Sequence, residues 1–166
     1  MRPSTENLTN ALYEDLAEQR WDAEQRGHPA GDLTHRLDNL ETYLNGQGPL
    51  LPEAAAALHD MAYAQAHDAH DTAVQDSDAA RVLAEAGNTK WARVAATSAR
   101  REATRARTAA TSAREFATFA PAGAPAHAAT TEAEQAAVDA ESAAFDAESA
   151  AHQAEWAARA AERSIA

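Results

Sequence analysis

The sequence predicts an all-α protein, an antiparallel bundle of three long alanine-rich helices preceded by two shorter N-terminal helices. Three observations lead to this prediction. Alanine, the residue with the highest helix propensity, supplies 48 of the 166 residues. The six prolines and six glycines cluster at a few points, so helices can run far between them. Apolar residues recur at the three- and four-residue spacing of a helix face.

Leucine at helical spacing in residues 1–51 predicts the two short helices. The first should run from about Thr5 to Arg26 and end at the Gly-His-Pro-Ala-Gly segment 27–31. The second should be capped by Asp32 and end at Asn45-Gly46. The leucines that form their apolar stripes are Leu8, Leu12, Leu16, Leu33, Leu37, Leu40 and Leu44. We interpret residues 1–51 as an N-terminal helical pair and residues 52–166 as the alanine-rich bundle.

Turn signals divide residues 52–166 into three further helices. They predict a third helix from Pro52 to Ala86, a fourth from Thr89 to Ala120, and a fifth that begins at Thr131. A capping box at 131–134 supports the last of these starts. Each helix would be roughly 50 Å long at 1.5 Å per residue. Rods of nearly equal length joined by short turns are typical of an antiparallel bundle.

The fourth and fifth helices repeat every seven residues, with alanine at every core position a and d. Position e is always arginine in the fourth helix and always glutamate in the fifth. In an antiparallel coiled coil e residues face e residues, so arginine should meet glutamate. The expected ion pairs are Arg93–Glu155, Arg100–Glu148, Arg107–Glu141 and Arg114–Glu134.

The register of this pairing can be tested within the sequence. Each of the four pairs is centred on residue 124, in the middle of the Pro-Ala-Gly-Ala-Pro turn at 121–125. The alanine core gives the same centre to within one position when Ala103 is layered with Ala147. Charges, core and turn therefore predict one antiparallel hairpin.

The third helix should lie on the g side of this hairpin, because the e side is charged. The g side carries small or apolar residues such as Ala95, Ala109 and Phe116. The residues of the third helix expected to pack there are Ala62, Ala66, Ala69, Ala73, Ala80 and Leu83.

Composition limits location and ligand class. The chain has no cysteine, which excludes disulfides and thiolate metal sites. Its first residues lack the apolar core of a signal peptide, and no apolar run reaches the roughly 20 residues that span a bilayer, so a cytoplasmic protein is expected. A net charge of −12 argues against direct nucleic-acid binding.

A histidine face on the third helix is a candidate metal site. His59, Tyr63, His67 and His70 share one arc of the helix. His67 lies three residues before His70 and four before Asp71, a spacing that can hold a transition metal. The alternative is that this face is solvated or packs against another helix.

A stripe of Phe145, His152 and Trp156 on the fifth helix lies outside the alanine core. Two interpretations are open. The leucine helices could cover this stripe, or it could be a docking surface for another chain, since aromatic residues on a helix surface often mark contact sites.

No catalytic or cofactor motif is recognisable in the sequence, and no cofactor is predicted. The leading hypothesis is a non-catalytic scaffold or protein-binding module, with a protein partner or self-association. A metal-binding bundle that uses His67, His70 and Asp71 is one alternative. An acidic inhibitor of a nucleic-acid-binding protein is another.

Overall fold

The computed structural model describes residues 3–120 and 124–165, which form five helices and, within those ranges, no strand. The long helices α3, α4 and α5 pack extensively against each other, which confirms the predicted all-α bundle. The helices are α1 (Pro3–Gln25), α2 (Gly31–Leu44), α3 (Pro52–Glu85), α4 (Thr89–Ala117) and α5 (Pro125–Ile165).

Helix α5 begins six residues earlier than the capping box predicts. Pro125 occupies its first turn, where a missing N–H costs nothing and the fixed φ angle favours a helix. Thr131 and Glu134 therefore lie inside α5, and the predicted start at Thr131 is wrong. The expected equality of the three rods is also wrong, because α3, α4 and α5 have 34, 29 and 41 residues. The predicted turn residues 121–123 lie outside the described ranges.

The glycine stops are where the sequence places them. Gly87 has φ +72°, and its N–H lies 3.0 Å from the carbonyl oxygen of Ala84. The N–H of Asn88 bonds the carbonyl of Leu83, which completes a Schellman-type end for α3. The start of α2 differs from the prediction, because Ala30 precedes the helix without a side-chain cap and Asp32 lies in the first turn.

The chain forms two compact units, each of which draws on segments of the long helices. Unit 1 comprises Met1–Tyr63 and Thr111–Thr130, and unit 2 comprises Ala64–Ala110 and Thr131–Ala166. Each unit combines two separate segments of the chain, whereas the predicted domain boundary cuts the chain once, after residue 51. That predicted boundary stays a prediction.

Unit 1 has a core of large side chains. Leu8, Leu12 and Leu16 of α1 and Leu37 and Leu40 of α2 are buried in it, whereas Leu33 and Leu44 are half-buried. The hydroxyl of Thr5 donates to the carboxylate of Glu115 at 2.6 Å. Tyr43 and Phe119 meet edge to face with ring centroids 5.9 Å apart. The largest fully buried side chains of the described residues all belong to this unit: Phe116, Leu16, Leu40, Leu58, His59, Thr5, Thr9 and Ser112.

Unit 2 has a core of alanine. Its fully buried residues come from all three long helices: Ala66, Ala69, Ala73, Ala80, Ala92, Ala99, Ala106, Ala133, Ala140, Ala144 and Ala147. Arg105 of α4 reaches Asp68 of α3 at 3.5 Å, and Ala109 at position g is buried, whereas the arginines at position e are exposed. Within unit 2, α3 therefore packs on the g side of the hairpin, as predicted.

No helix in the described part of the chain is both long enough and apolar enough to cross a membrane.

We expect Ala66→Leu to destabilise the protein by about 1–3 kcal/mol, because an alanine core has no room for three more carbon atoms. Ala66 is fully buried, whereas Ala64 on the same helix is exposed. Ala64→Leu is therefore the matched control, and its free energy of unfolding should change by less than about 0.5 kcal/mol. Urea unfolding measures both, and equal stability of the two variants would contradict the close-packed alanine core.

Candidate partner-binding surface

Three of the four predicted Arg–Glu pairs are present along α4 and α5 of unit 2. Arg100 binds Glu148 through two parallel bonds, Nε–Oε1 at 2.8 Å and Nη2–Oε2 at 2.7 Å. Nη2 of Arg93 lies 2.8 Å from Oε1 of Glu155. Arg107 contacts the Glu141 carboxylate through its Nε and Nη2 atoms. These pairs confirm the predicted register in unit 2. The fourth pair, Arg114 with Glu134, stays a prediction.

The Arg100–Glu148 pair changes the acidity of both partners. The hydrogen bonds from Arg100 and its positive charge lower the pKa of Glu148, and His152 nearby lowers it further. The same contact raises the pKa of Arg100, as Glu141 raises that of Arg107. These arginines are open to solvent, so the pairs fix register and direction more than they add stability.

The aromatic stripe of α5 is exposed. The side chain of Phe145 is 65 % exposed and that of Trp156 is 75 % exposed, with Val138 at 53 % one heptad before Phe145. His152 between them is exposed as well. The interpretation that the leucine helices cover this stripe is therefore wrong. Five of the seven leucines that form their stripes are buried inside unit 1 instead: Leu8, Leu12, Leu16, Leu37 and Leu40.

Exposed large apolar side chains concentrate in unit 2. Eight such residues are exposed in the described chain, and all but Trp21 belong to this unit. They are Val74, Val82, Trp91, Val94, Val138, Phe145 and Trp156. Unit 2 thus buries its smallest apolar residue and exposes its largest ones, the reverse of an ordinary core.

A buried carboxylate at a g position was missed by sequence reasoning. Glu102 is 7 % exposed, and its two oxygens lie 3.3 Å from Nε of Arg101 and Nη1 of Arg105. The signal was present, because an acid on the packed side needs flanking cations and both arginines are adjacent on the helix. The arrangement neutralises a charge inside the helix interface.

The candidate metal residues do not gather further ligands. In the described residues, no three histidine or acidic side chains converge on a point that could hold an ion. Nδ1 of His70 lies 2.9 Å from the Asp71 carboxylate, so two of the three predicted ligands contact each other. The set His67, His70 and Asp71 stays a prediction.

His59, grouped with those residues in the sequence, has a separate role in unit 1. It is buried, with Nε2 3.2 Å from the hydroxyl of Thr130 and Nδ1 3.3 Å from Asp60. Thr130 donates its single hydrogen to the carbonyl of Ala126 at 2.7 Å, so it accepts from His59 Nε2. This chain ties α3 to the first turns of α5.

A cavity of about 320 Å³ lies beside this histidine in unit 1. Its walls are mainly apolar, with Phe116, Pro52 and several alanines, and Asp60 is at its edge. Both nitrogens of His59 already have protein partners, so the cavity has little polar chemistry of its own with which to select a ligand.

Comparison with known protein families, characterised proteins and solved structures finds no match to this chain.

The lowered pKa of Glu148 predicts a pH-dependent contribution to stability. A carboxyl whose pKa is depressed on folding stabilises the folded state above its ordinary value of 4.5, and loses that effect as pH falls through the folded pKa. We expect Glu148→Gln to reduce the free energy of unfolding at neutral pH. The difference from wild type should shrink towards zero as pH falls through the lowered pKa of Glu148. Urea unfolding across this range measures it. Glu162→Gln, on the same stripe of α5, is the control, and a deficit for Glu148→Gln that persists at low pH would contradict this account.

Thr130→Val should destabilise unit 1 by about 1–3 kcal/mol, because the buried N–H of His59 would lose its acceptor while the side-chain volume stays constant. Thr104→Val is the control, since the exposed Thr104 hydroxyl bonds only the carbonyl of Arg100 on its own helix. Thermal unfolding should show a clearly larger loss for Thr130→Val. Equal losses in the two variants would exclude the His59–Thr130 bond as a structural link.

Proposed function

We propose that this protein is a non-catalytic helical module that binds a protein partner through the outer face of α5, the side of the helix that carries Phe145, His152 and Trp156. The observation that carries the proposal is that unit 2 buries alanine and exposes its large apolar side chains. Phe145 and Trp156 are more exposed than any other large apolar side chains of the described chain. They lie eleven residues apart, three turns along one side of the helix.

Aromatic residues in this arrangement are the usual energetic anchors of interfaces. Phenylalanine and tryptophan each bury roughly 150–250 Å² when covered, and truncating such an anchor often costs more than 2 kcal/mol of binding energy. An alanine core supplies little apolar burial per residue, at about 25 cal/mol per Å². Covering the outer face would add the kind of burial that unit 2 lacks.

The charges of α4 support a protein partner over nucleic acid. Arg93, Arg100 and Arg107 are paired with glutamates of α5. Arg101 and Arg105 contact Glu102. The arginine-rich helix therefore presents neutralised pairs to solvent, and with a net charge of −12 we propose that the chain does not bind nucleic acid directly. We also propose a cytoplasmic location.

Affinity capture with matched variants tests the proposal. Tagged wild type and the double variant Phe145→Ala/Trp156→Ala are used as baits in extract from the native cell. We expect at least one specific protein, or the chain itself, to be retained by wild type and lost from the double variant. Helicity measured by circular dichroism should remain, because neither side chain is buried.

Trp21→Ala is the control bait, since Trp21 is 61 % exposed but lies on α1. It should retain what wild type retains. Capture that survives in the double variant but disappears at moderate salt would favour the acidic-inhibitor alternative. An identical set of retained proteins for all three baits would refute the proposal.

A further inference from the structure

We propose that the partner of the outer face is a second copy of this chain, docked α5 against α5 in antiparallel orientation. This inference rests on the proposed function and names its partner. The surface involved is the outer stripe, which we define as the b and f positions of α5: Val138, Ser142, Phe145, Ser149, His152, Trp156, Arg159 and Arg163.

The outer stripe has the geometry of a helix-pairing surface. Its members alternate at spacings of four and three residues, the repeat that keeps one side of a helix against a partner over many turns. At 100° per residue the stripe lies on the side of α5 away from the buried alanines Ala140 and Ala147. Ser149 is partly exposed and the other seven members are exposed. A second helix can therefore approach without displacing the existing core.

An antiparallel pairing centred between Ala150 and Ala151 gives the outer stripe a consistent set of layers. Phe145 then faces Trp156 of the second copy, and by symmetry Trp156 faces its Phe145. Ser149 faces His152 in the middle. Sliding the register by one heptad places Phe145 opposite Ser149 or Arg163 instead, so this register alone joins the aromatics. In a parallel pairing Arg159 would lie beside Arg159 of the second copy and Arg163 beside Arg163, and these like charges would repel each other.

The charges along α5 are complementary in this orientation. Arg159 and Arg163 are the only arginine or lysine residues after residue 120, and both are at the C-terminal end of α5. Arg159 lines a surface groove with Lys90 and Arg93 of α4 and with Glu155 and Glu162 of its own helix, so the charges near it on its own chain are of both signs.

The second copy would supply a further acid. In the antiparallel register, Asp139 of one copy lies between the layers that hold Arg159 and Arg163 of the other. On the opposite flank, Glu141, Glu148 and Glu155 have arginine partners on α4, which reduces the repulsion between the glutamates of the two copies. A dimer forms this Asp–Arg contact twice.

The expected affinity is modest. Two Phe145 and two Trp156 side chains together bury at most about 600–1,000 Å². Stable complexes bury about 1,200–2,000 Å², so Val138, His152 and the arginine stems must complete the interface. We expect a dissociation constant in the micromolar range rather than an obligate dimer.

Sedimentation equilibrium of the full chain over about a hundredfold range of micromolar concentration tests the association. The mass should rise from the 17.6 kDa of the monomer towards twice that value. Phe145→Ala/Trp156→Ala should weaken dimerisation at least tenfold, whereas Trp21→Ala should dimerise like wild type. A wild type that stays monomeric throughout, or a double variant that dimerises equally well, would overturn the inference.

Single cysteines test the orientation, and the natural chain contains none to interfere. In the antiparallel register residue 149 lies about 4–5 Å along the axis from its own copy, whereas residue 142 lies about 25 Å from its copy. A short bismaleimide should therefore link Ser149→Cys dimers and leave Ser142→Cys unlinked. Efficient linking of both variants would show parallel pairing and refute the register.

The two proposals fail in different ways. If wild type is monomeric but captures another protein only through Phe145 and Trp156, the second copy is the wrong partner and the partner-binding function stands. If the chain neither dimerises nor captures a protein through these residues, both proposals fall.

Discussion

The restriction of the unit 2 core to alanine is the constraint on which the rest of the molecule depends. Alanine has no side chain beyond Cβ, so these helices can approach closely, but it cannot interdigitate deeply enough to select one register by shape. Direction and register must then come from residues beside the core. Arg100 with Glu148 and Arg107 with Glu141 supply them, because displacing either helix by one turn would separate every pair at once. Individually weak, exposed ion pairs here decide which of several similar packings forms.

The large apolar side chains are buried in unit 1 and exposed in unit 2, and the alanine core of unit 2 explains the difference. Unit 1 accommodates Phe116, Leu16 and Leu58 in its interior because two additional helices surround them. Unit 2 has no such space, and its phenylalanine and tryptophans lie on the surface. Such exposure favours association, since each covered ring contributes burial that the alanine core cannot provide. The proposed partner-binding function rests on this difference between the two cores.

How much the sequence could predict depended on whether the deciding signals were local. The α4–α5 register was predictable because the heptads specify both the alanine core and the flanking charges, and the proline–glycine segment between them specifies the turn. The start of α5 was not, because Pro125 and the Thr131 capping box are both valid start signals and only packing chooses between them. Glu102 was missed although its g position lies on the side predicted for α3, because a glutamate is seldom buried without a partner. His59 was grouped with His67 by helical angle, yet its partner Thr130 lies 71 residues away along the chain. The exposure of Phe145 also depended on tertiary structure, since the leucine helices could equally have covered it.

Self-association through the outer stripe of α5 would use the same principle as the pairing of α5 with α4, namely that antiparallel orientation brings unlike charges together. Towards α4, a row of glutamates meets a row of arginines, and reversal of chain direction brings the complementary charges together. On the outer side of α5 both signs belong to one helix, with Asp139 beside the start of the outer stripe and Arg159 and Arg163 at its end. Only a partner running in the opposite direction brings unlike ends together, and a second copy meets that requirement without any further sequence. Because such a partner binds the folded chain alone, pairing would also stabilise unit 2 in proportion to protein concentration. A module with a weak core would then be most stable where it is most abundant, which couples its assembly to its folding.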